Sequence, residues 1–129
     1  FSGNYSQAQM LAYTSKAGGL LAHLGTTDCV KAEQLAASGD ETAKMVLDAM
    51  AYNIGKEIGS MAAVLEGRAE AIILTGGLAY SKTLTERISA MVGFIAPVKL
   101  YPGEDELRAL AEGALRVLSG EETPKEYVR

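Results

Sequence analysis

The chain has 129 residues, 48% of them apolar, and a formal net charge of −4; this is enough for one compact domain with its own core and too little for two. Its 12 Lys and Arg residues are scattered, so the basic patch that nucleic-acid or anionic-membrane binding requires is missing. Lys44, Asp48, Lys56, Glu57 and Glu66 interrupt the longest apolar candidate well short of the roughly 18 residues of a membrane span, while a single Cys29 and an opening FSGNYSQAQM without basic leader or apolar signal core lead to the expectation of a cytoplasmic protein.

Residues 7–16 have weak helical character and stop at Gly18-Gly19. LLAHLGTTD after them reads equally as a short helix or as an extended piece entering a polar loop. Asp28 or Thr27 can cap a short helix to about Ala37, because a short side-chain oxygen accepts the first free amide hydrogens. Ser38 and Glu41 have capping-box spacing, and Asp40 is an equal candidate for the same helix start. From there Ala43, Val46, Leu47, Met50, Ile54, Ile58, Met61, Ala62 and Leu65 recur at steps of three and four. That pattern predicts a helix of about 26 residues ending at Gly67, roughly 39 Å long, which serves as the central packing element. Gly55 and Gly59 in it would let another backbone approach closely, each at about 1 kcal/mol of helix propensity.

AIILT, Ala71 to Thr75, is a continuous apolar run rich in β-branched residues, as expected of a buried parallel strand. Two glycines end it, and Ser81 or Thr83 can cap a helix through about Val92. PVKLY, Pro97 to Tyr101, reads as a second strand, and PG closes it before a helix from Glu104 to Ser119 that Gly120 terminates. Strand, helix, strand implies a right-handed parallel crossover and an α/β layer. Two strands fall short of the usual four to six. The shortage implies that the sheet is incomplete, its missing neighbours being earlier strands of a longer polypeptide or a second copy of the chain. Residues 1–120 are read as one subdomain and 121–129, EETPKEYVR, as a polar tail.

Three constellations can carry chemistry. In ILTGGLAYS, Gly76 and Gly77 remove the Cβ that would hold a ring or phosphate off the backbone, and the next helix points its amides at that space. The turn equally serves chain reversal; it is neither G-x-G-x-x-G nor a G-x-x-x-x-G-K-[ST] phosphate loop. In YPGEDEL, Glu104, Asp105 and Glu106 start a helix past a strand's carboxyl end, where α/β proteins gather ligands. They can complement the helix dipole or hold a magnesium ion beside phosphates. In LGTTD, two hydroxyls and a carboxylate can meet a ribose or an adenine edge, and capping explains them as well. His23 has no cysteine or second histidine at metal spacing, and Cys29 is read as a small half-buried residue.

Taken together, GGLLAHLGTTD, GDETAKMVLDAMAYNIGKEIGSMAAVLEG, AIILTGGLAYSKTLTERI, FIAPVKLYPGEDELRALAEGALRVL and the opening FSG resemble the butyrate kinases of the acetokinase family, in the same order and at the same spacing. ILTGGLAYSK and YPGEDE are characteristic together. The family belongs to the superfamily of acetate and sugar kinases, actin and the heat-shock ATPases, and the resemblance covers almost all of this chain but only the carboxy-terminal third or so of such an enzyme. It implies a partial ribonuclease H-like ATPase domain from an enzyme that moves a phosphoryl group reversibly between butyryl phosphate and ADP, with magnesium. Gly76, Gly77 and Leu78 match the backbone that passes under the adenosine. Ser81 stands where acetate kinases have an asparagine contacting the nucleotide, and Thr26, Thr27 and Asp28 match the loop approaching adenine and ribose. Val30 occupies the place of the family's arginine, with Lys31 following. Asp105, with Glu104 as its neighbour, lies where acetate kinase has a glutamate at the magnesium site.

The resemblance further implies a homodimer formed through the carboxy-terminal domain. The first phosphate-binding hairpin, the acyl pocket, and the histidine and arginine that steady the phosphoryl group have no counterpart here. In-line transfer needs positioning and charge neutralisation from both sides, so this chain alone is expected to be inactive. Two rivals stand beside the kinase reading: a non-catalytic packing or dimerisation module, motivated by the long helix with Gly55 and Gly59 and by the incomplete sheet, and a generic dinucleotide-binding α/β domain, disfavoured by the missing third glycine.

Overall fold

The computed structural model describes residues 3–127, so Phe1 and Ser2 of the opening FSG, and Val128 and Arg129 of the tail, lie outside the described residues. Six α-helices and two strands follow in the order α1 (Gln7–Ser15), α2 (Leu20–Leu24), α3 (Cys29–Ala37), α4 (Glu41–Val64), β1 (Ile72–Gly76), α5 (Lys82–Val92), β2 (Val98–Pro102) and α6 (Glu106–Leu118), with a 3-10 turn, Gly77–Tyr80, between β1 and α5.

Side-chain oxygens set the helix starts. Ser6 and Gln9 form a reciprocal capping box ahead of α1, and LLAHL resolves into the short helix α2. Asp28 caps α3, accepting from the Val30 N–H at 2.9 Å. Asp40 caps α4 through the N–H groups of Thr42 and Ala43 at 2.9 and 3.0 Å. Ser38 is occupied elsewhere, donating its hydroxyl to the Leu35 carbonyl at 2.7 Å. Ser81, not Thr83, caps α5.

The 24 residues of α4 span roughly 36 Å. The helix stops three residues before Gly67, where Glu66 enters the left-handed region at φ 54°. Its apolar stripe is buried at Ala43, Leu47 and Ala51, but Met61 and Leu65 at the far end are more than half exposed. Against its middle packs α5, and the core gathers there: Ala51, Ile72, Leu84, Ile88, Val92 and Ala96, with Ile54, Ile58, Met91 and Val98 around them. An ion pair between Asp48 of α4 and Arg87 of α5 closes the rim of this seam. Among the described residues no backbone packs on the two helix glycines. A Cβ on Gly55 would meet the Met91 side chain at 2.7 Å, and one on Gly59 would meet nothing within 4 Å.

The strands pair in parallel, Ile72 opposite Val98 through Gly76 opposite Pro102, as the crossover predicts. The expectation of a strand buried on both faces meets only one layer of cover. Ile72 is buried on the α4–α5 side, while Ile73 is 61% exposed and Tyr101, on the same outer face by the register, is also bare. The same holds for α6, whose Leu107, Leu110, Leu115 and Leu118 are all more than half exposed. Among the described residues nothing covers these faces, so the sheet is incomplete as its strand count implied.

Candidate nucleotide site

At the carboxyl ends of the two strands Gly76 and Gly103 exchange a pair of hydrogen bonds. The Gly76 N–H donates to the Gly103 carbonyl at 3.2 Å, and the Gly103 N–H to the Gly76 carbonyl at 3.1 Å. Both residues have positive φ, 80° and 98°, and Gly76 has ψ −176°, a combination open to little but glycine. The clasp ends the parallel ladder and sends the two chains apart, into the 3-10 turn on one side and α6 on the other. Such a crevice beyond the strand ends is where open α/β sheets take ligands.

Gly77 stands at this mouth with no atom within 4 Å of the place a Cβ would occupy. Its backbone is therefore bare to a flat group, and Leu78 beside it is 44% exposed. Underneath, a groove of about 360 Å³ is lined by apolar atoms of Ile54, Ile58, Leu74, Leu78, Leu84 and Ile88. Tyr80, 72% exposed, lays its hydroxyl over Gly103, 2.8 Å from where a Cβ would be.

Glu104 comes to the same place: its Oε1 is 3.8 Å from the position of a Cβ on Gly76. Asp105 sits at the N-cap of α6 yet makes no side-chain capping hydrogen bond, so helix capping does not account for its carboxylate. Among the described residues no three His, Cys, Asp or Glu side chains converge as a metal cage. Glu104 beside the open backbone, with Asp105 next in sequence, would be the carboxylates to hold a magnesium ion, which keeps several waters and takes one or two protein carboxylates plus phosphate oxygens. When bound, the ion would neutralise phosphate charge.

The Thr26–Asp28 loop is built from local hydrogen bonds. Thr26 Oγ1 accepts the Asp28 N–H at 3.1 Å, and Asp28 then caps α3. One carboxylate oxygen of Asp28 and one lone pair of Thr26 are thus committed to the loop, while Thr27 is exposed. Val30, 61% exposed, presents an apolar side chain in the first turn of α3. The neighbouring Cys29 thiol is pushed up in pKa, first by burial and then by the carboxylates of Glu33 and Asp28, which disfavours the nucleophilic thiolate.

A side-chain hydrogen bond joins this loop's helix to the end of the glycine turn. The Ser81 hydroxyl accepts the Leu84 N–H at 3.0 Å and donates to Glu33 Oε1 on α3. Ser81 is committed twice over, as a helix cap and as an anchor to α3. His23 lies apart, on a cavity of about 450 Å³ between α2 and α4 with Met45, Met50 and Asn53. Of the residues singled out from sequence, Gly76, Gly77, Leu78 and Glu104 meet at the strand ends, Asp105 follows at the start of α6, and Ser81 ties in the Thr26–Asp28 segment through Glu33. Sequence reasoning misses Gly103, which it reads only as a strand closer, and Glu33. The repeat of a glycine at the end of each strand was the available signal for the first; the second had none, because its partner is 48 positions away.

The family model described as the acetokinase family matches residues 2–114. Over 127 residues the chain is 58% identical to the protein called probable butyrate kinase 2 of Caldanaerobacter subterraneus subsp. tengcongensis, a match covering 98% of this chain and 36% of that protein. The chain thus spans little more than a third of the length of the curated relative it matches.

Proposed function

The chain belongs to the acetokinase family, and from that premise we propose that it is the carboxy-terminal, adenosine-binding part of a butyrate kinase that transfers a phosphoryl group reversibly between ATP and butyrate, giving butyryl phosphate and ADP. The observation that carries the reading is the bare Gly77 backbone beside the Gly76–Gly103 clasp, with Glu104 at its side. A purine or ribose can lie on that backbone, because there is no Cβ to lift it. Gly76, Gly77 and Leu78 form the floor, Thr26, Thr27 and Asp28 approach from α3, and Ser81 fixes the start of α5. Glu104 and Asp105 would help hold magnesium next to the phosphates.

The role of this part is positioning. In-line phosphoryl transfer draws its rate from aligned reactants and neutralised charge, and these residues hold the nucleotide end. The acyl pocket and the groups that steady the transferring phosphoryl belong to the remainder of the kinase, so the chain by itself binds nucleotide without turnover. We further propose a homodimer in the cytoplasm; among the described residues no helix is long and apolar enough to cross a membrane. The packing-module rival keeps the incomplete sheet as its motive and loses Gly55, which faces Met91 of the same chain.

Titration calorimetry of the full-length protein with ATP-magnesium and with NAD tests the reading. ATP binding without NAD binding, together with butyrate-dependent ADP formation, is the expected result. NAD binding without ATP binding would defeat it, and light scattering that shows a monomer at high concentration would remove the dimer.

A further inference from the structure

The contact between Ser81 and Glu33 has a geometry that capping alone does not require. An N-cap serine needs only to accept a backbone N–H, which Ser81 does from Leu84. Its remaining proton goes to a carboxylate on another helix, in a half-buried setting. Glu33 lies one helical turn beyond Cys29, on the same face of α3, and its negative charge is felt at the Cys29 thiol. One bond therefore runs from the helix that the Thr26–Asp28 loop starts to the residue that ends the glycine turn.

We propose that Glu33 is a positioning residue for the nucleotide: through Ser81 it fixes the separation between the Thr26–Asp28 loop and the Gly76–Gly77 floor, and so sets the width of the adenosine slot. This rests on the adenosine reading of the glycine turn. The two walls belong to different parts of the chain. Besides this bond α3 packs on α4 and α2, neither of which is part of the turn. A charged acceptor makes the link stronger than a neutral hydroxyl pair, and its half-buried place shields it from competing water.

The test measures steady-state kinetics of the full-length protein. Glu33→Ala should raise the KM for ATP about tenfold, the effect of losing a hydrogen bond to a charged group, while kcat and the KM for the carboxylate stay within about twofold. Glu33→Gln, whose amide oxygen can still accept the Ser81 hydroxyl, should recover most of the ATP affinity. Adding Ser81→Ala to Glu33→Ala should cost far less than the sum of the two single changes. An unchanged KM for ATP in Glu33→Ala overturns the proposal. So does a parallel loss for both substrates with a lowered melting temperature and no recovery in Glu33→Gln, since that is the signature of a scaffold contact. Gly77→Val separates the two levels: if it weakens ATP binding while Glu33→Ala does not, only the positioning role falls. If neither change affects ATP, the adenosine reading falls and takes this inference with it.

Discussion

Gly76 and Gly103 clasp the ends of the two strands through two mutual backbone hydrogen bonds, and each holds a φ that an L side chain rarely adopts. Alanine at either place should cost about 1–3 kcal/mol through backbone strain. The tyrosine hydroxyl over Gly103 adds little, because Tyr80 is largely exposed and can swing aside. Urea denaturation of Gly76→Ala and Gly103→Ala should therefore give similar losses; a Gly103 loss that vanishes in a Tyr80→Ala background would instead make the ring the cause.

Gly77 behaves in the opposite way. A Cβ there meets nothing within 4 Å among the described residues, so Gly77→Val should leave the unfolding free energy within about 0.5 kcal/mol of the parent, the usual range for an open surface site. The cost should appear in nucleotide affinity alone. Calorimetry with ATP-magnesium on the full-length protein checks this, and equal affinity for both proteins would remove Gly77 from the floor of the site.

The pair in α4 separates packing from propensity. Gly59→Ala should stabilise by about 0.5–1 kcal/mol, because a mid-helix glycine in open space only loses propensity. Gly55→Ala should show no such gain: its Cβ would press on the terminal methyl and sulfur of Met91 at 2.7 and 3.0 Å. Shortening that side chain with Met91→Ala should make room, so the two changes should be non-additive in thermal melts.

Cys29 reports the local field. Burial, Glu33 and Asp28 all raise its pKa, which means the folded state prefers the neutral thiol. Its contribution to stability is complete below the unfolded thiol's pKa and is lost as pH rises through the higher folded value. Alkylation by iodoacetamide should be slower than for a free cysteine between pH 7 and 9, and Glu33→Ala should speed it. A rate equal to that of a small thiol would contradict the environment described.

Most elements could be anticipated because they rest on local rules. The three-and-four stripe from Ala43 gave α4, and short oxygen-bearing residues gave the starts of α3 and α5. The strands were displaced by one residue, since periodicity cannot tell Ala71 from Gly76 as the pairing end. Burial was the weaker expectation. An apolar run such as AIILT announces that it wants two covered faces, but composition alone does not supply the second cover, and Ile73 stays in solvent. At the site, the glycines and Glu104 were visible because chemistry and position coincide in short motifs. The Ser81–Glu33 bond was not, because it depends on how α3 lies across the start of α5.

The parallel register has a kinetic side. Ile72 meets Val98 only after the whole of α5 has been laid between them, so the ladder has no tight turn from which to zip. Closing that long loop before any strand contact rewards it slows folding. The seam of α4 and α5, with Leu84, Ile88 and Val92 against Ala51, can form first and bring the strands within reach. Substitutions in that seam should then slow refolding, whereas loosening the Gly76–Gly103 clasp should chiefly quicken unfolding.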